Sequence, residues 1–167
     1  MVSVSEILGR PGEYRDLIID TPVTGVATAL SHLDQDPVHG ELRLESVVEG
    51  VLVTGAVKAP VVLECARCLE RFDSILSVEV CELYVGPGHN GPVEDDAYFV
   101  AGTDIDLEPM LRDALVLELP LNPLCRADCK GYCPHCGADL NVGACDCKQE
   151  ELDPRWAELA VLKEELG

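Results

Sequence analysis

The stretch from Cys125 to Cys147 constrains this chain more than any other feature, because it holds six of the nine cysteines. The spacing there is C-x3-C-x3-C-x2-C-x8-C-x-C. In a reducing compartment, clustered cysteines are far more often metal ligands or redox groups than a disulfide framework. We therefore expect a small zinc module over residues 125–147.

A tetrahedral zinc ion takes four ligands, and this spacing allows more than one set. The C-P-H-C-G segment that begins at Cys133 resembles a zinc knuckle, in which the glycine lets backbone amides approach the sulfurs. The segment between Cys136 and Cys145 can form one tight loop that brings the chain back toward the knuckle. The expected zinc ligands are therefore Cys133, Cys136, Cys145 and Cys147. Cys125 and Cys129 can complete the site instead of Cys145 and Cys147. In a further alternative, all six cysteines take part and their thiolates share two ions.

A separate pair, Cys65 and Cys68, forms a C-x-x-C turn between two predicted strands. Three interpretations of this pair stay open. It can be a packed turn, a redox pair whose thiol pKa is lowered by Arg67 and Arg71, or a contributor to the cluster. In the last case eight thiolates would hold two zinc ions in two four-sulfur sites. Cys81 is expected in the core.

The N-terminal half has the alternation of apolar and polar residues that is typical of β-strands. On either side of the C-x-x-C turn, this pattern predicts one long antiparallel hairpin. Gly50 and Gly55 predict a turn and a bulge. Asp106 predicts the N-cap of a helix. One face of that helix would be apolar, with Leu107, Met110, Leu111, Ala114 and Leu115.

These elements predict an α+β protein. An antiparallel, β-rich N-terminal part packs against a helix, and a small cysteine-rich zinc module and a C-terminal helix follow. Residues 1–100 are predicted to form the β-rich domain with the C-x-x-C hairpin, and residues 101–167 the remainder. The terminal helix is predicted from Asp153-Pro154, which suit an N-cap and a first helical position. Its apolar stripe would be Trp156, Leu159, Leu162 and Leu166.

The net charge of -19 results from 31 acidic residues against 12 basic ones. A surface this acidic repels phosphate backbones and attracts basic partners. The few cations near the cysteines could form a local basic face. The expected partner-binding residues are Arg67, Arg71, Arg126 and Lys130. No interleaving of aromatic and basic residues of the kind that stacks bases is present in the sequence.

The sequence shows neither a secretion leader nor an apolar run long enough to cross a bilayer, so we expect a cytoplasmic protein with no membrane partner. It contains no phosphate-binding loop, dinucleotide-binding motif, nucleophile elbow or H-E-x-x-H motif. Its four histidines are dispersed. We therefore predict a protein that is not an enzyme and has no small-molecule substrate.

Three segments carry a family resemblance: LESVVEGVLVTGAVKAPVVLECARCLERF, DLEPMLRDALVLELPLNPLCRADCKGYCPHCGADLN and DPRWAELAVL. Together they resemble the YceD family of large ribosomal RNA subunit accumulation proteins. Cys65, Arg67 and Cys68 match the family's hairpin motif, and the six clustered cysteines match its metal module. The resemblance implies a non-enzymatic role in the accumulation of large-subunit ribosomal RNA, and hence in ribosome assembly.

Charge and resemblance together predict that the protein acts on a large-subunit assembly intermediate by binding a basic ribosomal protein. The alternative is that the zinc module binds ribosomal RNA directly through its local cations. A third possibility is a thiol oxidoreductase that uses Cys65 and Cys68.

Overall fold

The structure, a computed structural model, describes residues 1–34, 36–93 and 95–147. Within these residues it has eight strands and one helix. In chain order they are β1 (Val2–Ser3), β2 (Tyr14–Thr21), β3 (Ser31–Leu33), β4 (Val38–Ser46), β5 (Gly50–Glu64), β6 (Arg71–Val85), β7 (Tyr98–Phe99), β8 (Asp104–Ile105) and α1 (Leu107–Glu118).

The main sheet has the strand order β2-β4-β5-β6-β7, and β3 pairs with the far end of β5. Strands β5 and β6 pair over their whole length, from Gly50 opposite Val85 to Glu64 opposite Arg71. This is the long hairpin that the alternating pattern predicts, and its turn carries the C-x-x-C pair. The short strand β7 pairs in parallel with the end of β6, while β1 and β8 pair separately.

Helix α1 covers one face of the sheet and shares its apolar core. The helix begins after Asp106, whose carboxylate accepts a hydrogen bond from the Glu108 N–H at 3.2 Å. Such a cap stabilises a helix by about 1 kcal/mol. The residues it buries belong to the predicted apolar face: Leu107, Met110, Leu111 and Leu115. Each contributes roughly 1.5–3 kcal/mol through burial. The α+β class and this helix are confirmed.

Two local predictions in the sheet need correction. Gly50 does close the turn before β5, where the Val47 N–H donates to the Gly50 carbonyl at 2.9 Å. Gly55 marks no bulge, because β5 passes through it in regular register with its neighbours on both sides. Cys81 is exposed and not in the core, since alternate residues of a strand face opposite sides and Val80 takes the core side.

The predicted terminal helix, with its stripe from Trp156 to Leu166, lies outside the described residues. The division into residues 1–100 and 101–167 stays a prediction. In the part of the chain that the structure describes, no helix combines the length and the apolar character needed to span a membrane.

Candidate metal centres

The tip of the β5–β6 hairpin lies against the segment that follows helix α1, and four cysteines meet there. Cys65 and Cys68 come from the hairpin turn, whereas Cys125 and Cys129 come from the later segment. Their Sγ atoms all lie within 4.8 Å of one another, and we call these residues the first tetrad. Cys65 and Cys129 are 0% exposed, Cys68 is 8% exposed and Cys125 is half-buried, so three of the four sulfur-bearing residues are shielded from solvent.

The spacing of these sulfurs is that of metal ligands. The Sγ atoms of Cys65 and Cys129 are 3.8 Å apart, and those of Cys68 and Cys125 are 3.6 Å apart. A disulfide would bring two sulfurs to about 2.0 Å. Four thiolates at the corners of a tetrahedron, each about 2.3 Å from a zinc ion, would be separated by about 3.8 Å. The first tetrad therefore fits a four-sulfur metal site.

Hydrogen bonds fasten the hairpin tip to the later segment. The Ala66 N–H donates to the Pro123 carbonyl at 2.8 Å, and the Tyr132 N–H donates to the Arg67 carbonyl at 3.2 Å. The Arg67 guanidinium donates from Nη1 to the Cys129 carbonyl at 2.6 Å. These bonds join residues that are more than fifty positions apart in the chain, and they bring the two halves of the first tetrad together.

The second tetrad is the set expected from the knuckle motif: Cys133, Cys136, Cys145 and Cys147. Its Sγ atoms also lie within 4.8 Å of one another. The Gly137 N–H donates to the Cys133 carbonyl at 2.9 Å, as a knuckle requires. Cys133 is buried, but Cys136 and Cys147 are exposed, so solvent reaches this tetrad more easily than the first.

Two residues that the sequence analysis did not single out connect the tetrads. Gly131 has a φ of +71°, and a Cβ there would lie 2.5 Å from the Arg67 carbonyl oxygen, so only glycine permits this approach. Asn141, between the cysteine pairs of the second tetrad, accepts a hydrogen bond from the Lys130 N–H at 2.8 Å. Its Nδ2 lies 3.7 Å from Cys129 Sγ in the first tetrad. Asn141 is the last residue of the second segment that carries the family resemblance, but only the fold reveals this role.

The region of the chain that holds both tetrads matches a known protein family. Residues 53–163 match the family described as large ribosomal RNA subunit accumulation protein YceD. This chain belongs to the YceD family. The matched region includes the β5–β6 hairpin from its fourth residue, Val53, and all eight tetrad cysteines, so the resemblance inferred from the sequence is confirmed.

Relatives of this YceD-family chain occur in bacteria and plants. An uncharacterized protein of Mycobacterium tuberculosis is 40% identical over 167 residues, which cover 96% of this chain and 80% of that protein. A Zea mays protein, large ribosomal RNA subunit accumulation protein YCED homolog 1, chloroplastic, is 40% identical over 176 residues, covering 87% of this chain and 56% of its own. The Arabidopsis thaliana protein of that name is 40% identical over 63 residues, or 38% of this chain and 20% of its own. No solved structure matches this chain.

In this YceD-family chain, the environment of the first tetrad lowers the pKa of one thiol and raises the pKa of two others. Burial raises the pKa of Cys65, but N–H donors from Cys125, Cys68 and Arg67 outweigh it and lower the pKa to about 6. Burial, followed by hydrogen bonds with the other three sulfurs, raises the pKa of Cys125 to about 12. The Glu70 N–H lowers the pKa of Cys68, yet burial and the neighbouring Cys65 leave it raised. One thiolate forms easily, and its charge opposes the next.

In the second tetrad, too, the pKa of one thiol is lowered and the pKa values of two others are raised. The N–H groups of Cys136 and His135 lower the pKa of Cys133 to about 6. The hydrogen bond with Cys136, followed by burial, raises the pKa of Cys147 to about 12. The Cys147 N–H lowers the pKa of Cys145, but the bond with Cys133 and burial raise it overall. A bound cation would remove this conflict, because four thiolates would then face a positive charge.

Both tetrads are therefore positioned to bind a metal ion. Four sulfur donors suit a soft or borderline metal better than magnesium or calcium, which prefer oxygen. A tetrahedral ion held by all four sulfurs of a tetrad would have no position left for a substrate or a reactive water. The arrangement is suited to holding the fold together.

The structure places the expected partner-binding cations on the two segments that form the first tetrad. The Arg67 side chain is engaged by the Cys129 carbonyl. Arg71 and Arg126 form ion pairs with nearby carboxylates, at 3.6 and 3.5 Å from Nε to oxygen. Lys130 is exposed. A role for these four residues in partner binding stays a prediction.

Proposed function

We propose that this chain is a non-enzymatic assembly factor that supports accumulation of large-subunit ribosomal RNA in the cytoplasm. The observation that carries the proposal is the YceD-family match over residues 53–163. The plant relatives carry the same description in their names. An assembly factor raises the amount of an RNA because RNA that is packed into a subunit is protected from degradation.

We propose that each tetrad holds one zinc ion and that both ions are structural. The four-sulfur donor sets and their spacing support zinc. The zinc of the first tetrad would join the hairpin tip to residues 123–132, which otherwise depend on a few hydrogen bonds. Because thiolates from distant parts of the chain must meet at the ion, its binding free energy would contribute directly to folding.

We further propose that the direct partner is a basic large-subunit protein within an assembly intermediate. The net charge of -19 supports this choice, because it attracts polycations and repels phosphate at long range. The alternative of direct RNA binding needs free cations near the tetrads. Three of the four candidate cations there are already engaged: Arg67, Arg71 and Arg126.

The geometry also argues against a thiol oxidoreductase that uses the C-x-x-C turn. A catalytic thiolate must reach the disulfide of its substrate. Cys65 has a pKa lowered to about 6, which suits a nucleophile, but its side chain is 0% exposed. Its sulfur faces Cys129 and not solvent. These contacts support a ligand role.

Deletion and complementation test the proposal. We expect a deletion strain to have a lower ratio of large-subunit to small-subunit ribosomal RNA, and the full chain to restore it. Cys129→Ser should fail to restore the ratio, because it removes a buried ligand of the first tetrad. Cys81→Ser is the matched control, since this exposed cysteine lies outside both tetrads. An unchanged ratio in the deletion strain would refute the proposed function.

The nature of the partner needs a separate test. Purified full-length protein is mixed with the protein fraction extracted from large subunits or with protein-free large-subunit RNA transcripts. We expect capture of a basic protein and no capture of RNA at physiological salt. Capture of transcripts alone would favour the direct RNA-binding alternative, particularly if it weakened steeply with added salt.

A further inference from the structure

A groove of about 830 Å³ lies along helix α1 beside its core face, with the buried Met110 in its lining, and is bounded by the end of β6 and by residues 89–93 and 96–98. No tetrad cysteine lines it. The groove is therefore a surface feature separate from the metal centres. We call it the acidic groove.

Carboxylates dominate the charge of this groove. Four of them line it: Glu49, Glu82, Asp96 and Asp113. Two basic residues, Arg112 and His89, also line the groove. The Arg112 guanidinium already lies 2.7 Å from a carboxylate oxygen of Glu108, so little of its charge is left to offset the others. Asp113 accepts a hydrogen bond from the Tyr98 hydroxyl at 2.8 Å, which holds one carboxylate in place at the rim.

Apolar side chains lie between these carboxylates and remain open to solvent. Leu117 is 86% exposed, Val93 is 41% exposed and Val116 is 36% exposed. Grouped exposed apolar side chains with a polar rim are typical of protein interaction sites. The acidic groove thus combines exposed apolar side chains with a negative rim.

We propose that the acidic groove binds an amphipathic segment of a protein partner, with apolar residues on one face and Lys or Arg on the other. This inference rests on the proposed function, since it assigns a docking site to the basic partner. Apolar side chains of the segment would cover Leu117, Val116 and Val93, and its cations would meet the four carboxylates. A helix laid in a groove makes contacts of this kind. The net charge of -19 would guide the same partner toward the protein.

Charge argues against two other occupants. Nucleic acid is disfavoured because its phosphates would face four carboxylates at the rim. The chain's own residues 148–167 contain more acidic than basic residues, so they do not complement the rim either. A basic, partly apolar protein segment is the occupant whose charge and polarity both fit.

A photo-crosslinker tests the location. Benzoylphenylalanine replaces Leu117 in the groove or, as a control, Ile75, which is 71% exposed near the other end of β6. Each metal-loaded full-length variant is irradiated with the protein fraction extracted from purified large subunits. We expect position 117 to crosslink to a Lys- and Arg-rich segment of one ribosomal protein, and position 75 not to.

Charge variants then test the chemistry. The groove variant carries Glu49→Gln, Glu82→Gln, Asp96→Asn and Asp113→Asn. The control variant carries Glu6→Gln, Asp36→Asn, Glu41→Gln and Asp73→Asn, all exposed and none lining the groove. Both lose the same charge, so long-range attraction changes equally. We expect the groove variant to weaken binding of the crosslinked protein about tenfold and the control less than about threefold. Melting temperatures of both variants show whether they are folded.

The outcomes separate this inference from the proposed function. Equal weakening by the two variants, or crosslinks from position 75 and not 117, would overturn the groove while leaving the basic partner in place. Crosslinks from position 117 into residues 148–167, or into a segment without cations, would also overturn it. If the wild-type protein captures RNA transcripts and no ribosomal protein, both the basic partner and the groove proposal fail.

Discussion

Leu69 occupies in the first C-x-x-C turn the backbone position that Gly137 occupies in the second. Their φ angles are +59° and +72°, both in the left-handed region. The N–H of each donates to the carbonyl of the turn's first cysteine at 2.9 Å. The N–H of Cys65 and of Cys133 also each donates to a carbonyl five residues later, at 2.9 and 2.8 Å. The two turns are therefore the same knuckle, although only one carries the glycine.

The first prediction exchanges these two residues. Gly137→Leu should lower the free energy of unfolding by about 1–2 kcal/mol, because a side chain in the left-handed region costs that much. Leu69→Gly should change it by no more than about 1 kcal/mol, since relief of that cost is offset by the greater freedom of glycine in the unfolded chain. Urea unfolding of the metal-loaded proteins measures both. A harmless Gly137→Leu would mean that the second knuckle can take another backbone conformation.

The second prediction concerns the contact between Gly131 and Arg67. Gly131→Ala places a Cβ 2.5 Å from a backbone oxygen, which should separate the hairpin tip from the later segment. We expect a loss of at least about 2 kcal/mol in unfolding free energy and weaker metal binding by the first tetrad. Unfolding curves and competition with a chelator measure the two effects.

Gly102→Ala is the matched control for this change. Gly102 has a φ of +69°, close to that of Gly131, but a Cβ there meets nothing within 4 Å. It reports the conformational cost alone, about 1–2 kcal/mol. Equal losses in the two variants would show that contact with Arg67 does not matter.

The third prediction is that a chelator removes metal in two phases. The second tetrad should lose its ion first, because Cys136 and Cys147 are exposed. The first tetrad should release its ion only on partial opening, since Cys65 and Cys129 are 0% exposed. Metal analysis and thiol alkylation followed over time measure both phases. Cys147→Ser should abolish the fast phase only, and one phase with one ion per chain in the wild type would contradict the prediction.

The fourth prediction is the pH dependence of the metal-free protein. Cys65 and Cys133 have a pKa lowered to about 6, so between that pH and the ordinary value of 9.0 the unfolded chain holds protons that the folded chain has released. Stability therefore rises with pH over this window. Cys125 and Cys147 have a pKa raised to about 12, so above 9.0 the folded chain holds protons that the unfolded chain has released, and stability falls.

The tetrads should thus give the metal-free protein a stability maximum near pH 9.0. The metal-loaded protein should behave differently on the alkaline side, because its thiols are already ionised. Its stability should fall only toward acid, where protons compete with the metal for sulfur. Thermal unfolding across pH, with and without chelator, compares the two forms. Alkaline loss of the same size in both forms would show that the thiols are not its cause.

Much of the fold could be predicted because its signals are local. The alternation on both sides of the C-x-x-C turn predicted the β5–β6 hairpin, since the period of two belongs to any half-buried strand. Asp106 and the apolar spacing after it predicted helix α1. The bulge predicted at Gly55 was wrong because a glycine in a strand can mark either a bulge or the close approach of a neighbouring strand. The core position predicted for Cys81 was wrong because cysteine is usually buried, whereas this position in the strand faces solvent.

The second tetrad was the set that the sequence favoured, because its knuckle includes the glycine that the left-handed turn requires and its ligands lie within one short segment, although Cys125 and Cys129 stayed open as alternative ligands. The first tetrad was one of several open interpretations, since Leu69 conceals the same turn and its four cysteines come from two distant segments. Only the tertiary structure decided this pairing. The hairpin tip reaches the later segment through contacts at Gly131, Arg67 and Pro123, and such long-range contacts leave no periodic signal in the sequence.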